Sequence, residues 1–60
     1  MTIFECYRNT VKALKEAGIE DSGFESRQII RYITKLSNNE IITRYNDNLE
    51  DFQIGMWQSV

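Results

Sequence analysis

An all-α fold, a small bundle of about four short helices, is what this sequence predicts. Two observations carry the prediction. Helix-start signals recur at Thr2, Ser22, Ser37 and Asn48, each followed three residues later by an acidic side chain. Apolar residues between them return at three- and four-residue steps, and strand-like alternation is absent. At 60 residues the chain holds one small domain with a thin core.

The first helix is expected over Thr2 to Ala17. Thr2 and Glu5 form a T-x-x-E capping box, and Gly18 supplies the left-handed residue that ends a helix. Ile3, Cys6, Tyr7, Thr10, Val11, Leu14 and Ala17 share its apolar face, while Arg8, Lys12, Lys15 and Glu16 fall opposite. The second helix is expected from about Gly23 to Leu36, opened by Ser22 with Glu25. Its face is Ile29, Ile30, Ile33 and Leu36, with Tyr32 on the flank and Arg27, Arg31 and Lys35 opposite. Phe24 lies off that stripe and is expected to pack against the loop or the first helix.

Ser37 with Glu40 opens a short third helix through Ile41, Ile42 and Tyr45, and Asn46-Asp47-Asn48 reads as a turn. Asn48 with Asp51 starts the fourth, whose expected core stripe is Leu49, Phe52, Met56 and Val60. Gly55 inside it costs roughly 1 kcal/mol relative to alanine. Ile54 and Trp57 fall away from that stripe. They are therefore the candidate contacts with a partner or a further domain, and a polar residue at Trp57 is expected to cost the isolated domain little. The same ending suggests a truncated N-terminal domain, or one that pairs with another chain.

Composition excludes several functions. Net charge is −2, which argues against a general nucleic-acid binder. There is no histidine, and the single Cys6 can form neither an internal disulfide nor a cysteine-rich zinc cluster. Gly18, Gly23 and Gly55 are too scattered for a phosphate-cradling loop. No metal-binding, cofactor-binding or catalytic residue is expected, so the chain alone is not a self-sufficient enzyme of a familiar type. No apolar run reaches the roughly 18 residues of a membrane span, and a cytoplasmic setting is expected.

The two basic stripes, Arg8-Lys12-Lys15 and Arg27-Arg31-Lys35, could dock an acidic partner or RNA backbone. Read blandly they are solvated faces, with Glu5 and Glu16 in pairing distance of Arg8 and Lys12. Residues 36–60 hold Arg44 alone against Glu40, Asp47, Glu50 and Asp51, which makes that half acidic. Cys6, on the buried stripe, reads as a small core hydrophobe.

The order of the pieces adds a resemblance. Thr2-Ile3, Glu5, Val11, Leu14 and Glu16-Ala17-Gly18-Ile19-Glu20, followed by Phe24-Glu25-Ser26-Arg27, Ile29-Ile30 and Ile33, resemble the start of bacterial release-factor glutamine methyltransferases, the HemK or PrmC family. The likeness continues through Leu36-Ser37-Asn38 and Ile41-Ile42 into the closing helix. It departs at Phe24, Ser26 and Arg27, where leucine, alanine and an acidic residue are usual. The resemblance implies that residues 1–60 are a helical substrate-recognition domain and that the catalytic domain lies outside this chain. It further implies a full-length enzyme that uses S-adenosylmethionine to methylate the glutamine of the Gly-Gly-Gln loop in class-I peptide release factors. The implied partners are the release factor and the missing catalytic domain, with no nucleic acid and no membrane. Two other readings stand beside it. One is a stand-alone helical interaction module or small regulator. The other is a helix-turn-helix DNA binder using Arg27, Gln28 and Arg31, which the net acidity disfavours.

Overall fold

The computed structural model describes residues 1–59 and contains four helices: α1 (Ile3–Glu16), α2 (Ser22–Thr34), α3 (Asn38–Arg44) and α4 (Asp51–Gln58). The expected all-α bundle is what forms. Helix α2 is central and packs on α1, α3 and α4. The radius of gyration is 10.7 Å, close to the roughly 10.4 Å expected of a compact chain this long.

Both ends of α1 follow from local chemistry. The Thr2 hydroxyl accepts from the Glu5 amide at 3.1 Å, and the Glu5 carboxylate accepts from the Thr2 amide at 2.9 Å. At the far end Gly18 adopts φ +83°, its amide donating to Lys15 and that of Ile19 to Leu14. That pair of bonds is a Schellman closure, which requires a residue free to turn left-handed. Ser37 and Glu40 cap α3 in the same reciprocal way, at 3.2 and 3.0 Å.

The second predicted box does not form. Asp21 occupies the cap position without a side-chain bond, and Ser22 becomes the first residue of α2, buried. Ser22 and Ser26, four residues apart, turn inward, and a Cβ at Gly23 would lie 3.3 Å from the Tyr7 hydroxyl of α1. Small residues here let α1 approach closely, so packing overrides the local cap. Helix α2 ends at Thr34 and not Leu36, because Lys35 takes a left-handed conformation, φ 61°.

The core is Ile3, Cys6, Ile30, Ile33, Ile41 and Leu49, with Tyr7, Leu36, Ile54, Met56 and Trp57 packed around it. The apolar faces expected of α1 and α2 are thus largely observed. Two expectations are corrected. Phe24 is 59% exposed and stands outside the core cluster. Helix α4 keeps part of its expected stripe: Leu49 is buried and Met56 packs on the core, but Phe52 is 65% exposed, and Ile54 and Trp57 turn toward the chain's own core as well. The expected start at Asn48 with Asp51 is replaced by one at Glu50, whose amide donates to the Gln53 side chain at 2.8 Å, so Leu49 is buried from outside the helix. Val60, the last member of the expected stripe, lies outside the described residues.

The indole of Trp57 also finds a polar partner. Its Nε1–H donates to Thr10 Oγ1 at 2.7 Å, and the same hydroxyl donates to the Cys6 carbonyl at 2.7 Å. This bond ties α4 to α1 and reverses the expectation that Trp57 contributes little to the isolated domain.

Candidate docking groove

An apolar hollow forms where the start of α1 meets the end of α3. Two of the four amides that a helix start leaves without an intrahelical partner are taken by the chain after α3. Ile3 donates to the Asp47 carbonyl at 3.0 Å and Phe4 to the Tyr45 carbonyl at 2.8 Å. Leu49 donates to the Met1 carbonyl at 2.8 Å, completing a short antiparallel tether beside the Thr2–Asn48 bridge. These bonds fix the distance between α1 and α3.

Between them lies a hollow of about 440 Å³. Its α1 wall is Ile3, Phe4 and Tyr7, and its opposite wall is Ile41, Ile42, Tyr45 and Asn46, with Arg27 of α2 at the side. Ile3 and Ile41 are buried, but their sequence neighbours are open: Phe4 is 42%, Ile42 59% and Tyr45 41% exposed. The Phe4 and Tyr45 rings stand 5.5 Å apart at a 53° tilt, an attractive aromatic geometry.

The charges around it are distinctive. The Arg8 guanidinium sits 5.7 Å from the Phe4 ring centroid, a cation–π arrangement. Glu5 spends a carboxylate oxygen on the Thr2 amide while still feeling the Arg8 charge. Its carboxyl is held below the usual carboxylate range by the Thr2 amide and hydroxyl, and Ser37 does the same for Glu40. Burial pushes the Cys6 thiol up, in keeping with a core residue rather than a nucleophile.

Only the second basic stripe divides. Arg8, Lys12 and Lys15 together line a shallow depression along α1, with Arg8 also over the Phe4 ring at the groove's edge. Arg27 lines the groove, whereas Arg31 and Lys35 line another depression beside Tyr32, with Lys35 Nζ 5.1 Å from that ring. Ile54 and Trp57, the sequence candidates, are not at the groove. They are half-buried on α4, against the core. Of the groove residues, sequence singled out Arg27 alone as a candidate contact, and the signal for its apolar walls was slight: Phe4 and Ile42 are large apolar side chains one position away from an inward residue.

Among the described residues no helix is long and apolar enough to cross a membrane. No group of three His, Cys, Asp or Glu side chains among them is placed to hold a metal ion.

The whole is a small helical bundle with an open apolar groove and arginines at its side and edge. The family model of the PrmC N-terminal domain matches residues 5–60, and the chain belongs to that family. Neither the curated proteins nor the solved structures offer a match to it.

Proposed function

We propose that this chain is the release-factor-recognition domain of an S-adenosylmethionine-dependent protein-glutamine methyltransferase acting on the Gly-Gly-Gln loop of class-I peptide release factors in the cytoplasm. The observation that carries the reading is the family match across residues 5–60. The four-helix architecture and the open apolar groove support a binding role. The residues present do not fit the methyl donor. Gly18 closes α1, Gly23 faces Tyr7 and Gly55 lies inside α4, so no glycine is free to build a cofactor loop. In this proposal the donor and the chemistry belong to a separate catalytic domain. That domain meets α4, where Ile54 and Trp57 are half-buried and Phe52 is exposed.

The test is an amide NMR titration of the labelled 60-residue chain with an unlabelled class-I release factor. Saturable shifts or broadening of a dispersed spectrum are expected. A dispersed spectrum indifferent to excess factor would overturn the reading.

A further inference from the structure

We infer that the groove between α1 and α3 docks an acidic amphipathic helix of a protein partner, its apolar anchors seated between Phe4, Ile42 and Tyr45 and a carboxylate paired with Arg27. The inference deepens the recognition reading and rests on it only for the partner's identity. Three features support it.

The first is apolar surface left open on purpose-built walls. Phe4, Ile42 and Tyr45 are each about half exposed around a hollow of about 440 Å³, next to buried Ile3 and Ile41. This is the size range of a pocket that takes large side chains.

Charge is the second. The whole chain carries net −2, yet among the described residues no Asp or Glu lines the hollow, and its one cation is Arg27. Arg8 adds a second guanidinium at the edge, over Phe4, with the Glu5 carboxylate feeling its charge. The local sign is therefore opposite to that of the chain, and it complements a carboxylate. An arginine can take one bidentately.

Shape is the third. The walls are two helices whose separation is fixed by the Phe4–Tyr45 and Ile3–Asp47 backbone bonds, so the groove exists before any partner arrives. A groove between helices suits an amphipathic helix presenting anchors at three- and four-residue steps.

The experiment uses a pair of short blocked peptides with Leu and Phe anchors four residues apart, one carrying Glu beside the anchors and its twin carrying Lys. Each is titrated into the labelled chain. The acidic peptide should shift the amides of Phe4, Tyr7, Ile42, Tyr45 and Asn46. It should bind at least about tenfold more tightly than its twin, and the advantage should shrink as salt rises toward about 0.3 M. Arg27→Glu, at an exposed position that leaves the circular dichroism unchanged, should erase or reverse the preference. Equal binding of the two peptides, shifts confined to the Lys12 or Tyr32 depressions, or no shifts at all would overturn the inference.

The release factor separates the two claims. Displacement of the acidic peptide by the factor supports both. Binding of the factor without displacement overturns the groove as its docking site. A bound acidic peptide with an indifferent release factor sustains the groove and sinks the recognition reading.

Discussion

Trp57 and Thr10 offer the sharpest test of how α4 is held. The indole Nε1–H donates to a hydroxyl that lies 47 positions away in sequence and is itself buried, at 2.7 Å. The hydroxyl's only proton is committed to the Cys6 carbonyl, so the indole must be the donor. Trp57→Phe removes that donor and trims a half-buried ring. The lost bond is worth about 1 kcal/mol and the lost contact a similar amount, for a total of about 2 kcal/mol. Thr10→Val keeps the shape but leaves the indole N–H without its partner, costing about 1–2 kcal/mol. In the double variant the bond cannot be lost twice, so the two effects should fall short of additivity by about 1 kcal/mol. Urea unfolding followed by far-ultraviolet circular dichroism reads all four proteins, since the sole tryptophan is itself replaced. Additivity within about 0.3 kcal/mol would refute the tie between α4 and α1.

Two further predictions concern the interior and the caps. The Ser26 side chain is fully buried and its Oγ has no hydrogen-bond partner among the described residues. Ser26→Ala should therefore stabilise the chain by about 1 kcal/mol and raise its melting temperature by roughly 4–8 °C, and a lower melting temperature would mean that the hydroxyl is satisfied. The Glu5 and Glu40 carboxyls are depressed in the folded chain by their Thr2 and Ser37 partners. Their contribution is present above the unfolded value of 4.5 and is lost as pH falls through the lower folded values. Between about pH 5 and pH 3 the melting temperature should drop, and the paired variant Glu5→Gln, Glu40→Gln should drop less steeply. Parallel acid limbs for the two proteins would remove the caps from the explanation.

What the sequence made legible was local. Thr2 with Glu5, Ser37 with Glu40 and Gly18 each solve a helix end within a few residues, and the structure contains all three solutions. The inward faces of α1 and α2 were legible too, because one strong periodicity places Ile3, Cys6 and Thr10, and another places Ile30 and Ile33. The failures arose where tertiary packing chose between locally equivalent options. Ser22 could have capped α2, but it is a small residue where α1 comes close, and it is buried instead. Along α4, large apolar residues occur on more than one face, so periodicity alone could not orient it. The bond to the Thr10 hydroxyl and the packing on α2 orient it, and both depend on residues remote in sequence.

The groove was illegible for a related reason. No single helix face announces it, since Phe4 and Ile42 belong to neither inward stripe and Tyr45 lies just beyond α3. What joins them is a pair of backbone bonds from the first amides of α1 to the carbonyls of Tyr45 and Asp47. The capping box takes the Glu5 amide with the Thr2 hydroxyl. The chain after α3 takes the amides before it. One helix start thus satisfies its donors from two sources, and the second source is what brings the Tyr45 ring to within 5.5 Å of Phe4. Glu5 is held at Thr2 and also feels the Arg8 charge, while the Arg8 guanidinium lies over the aromatic rim. The start of α1 therefore serves two ends at once: its capping box stabilises the helix, and the two amides left to the chain after α3 set the groove's walls.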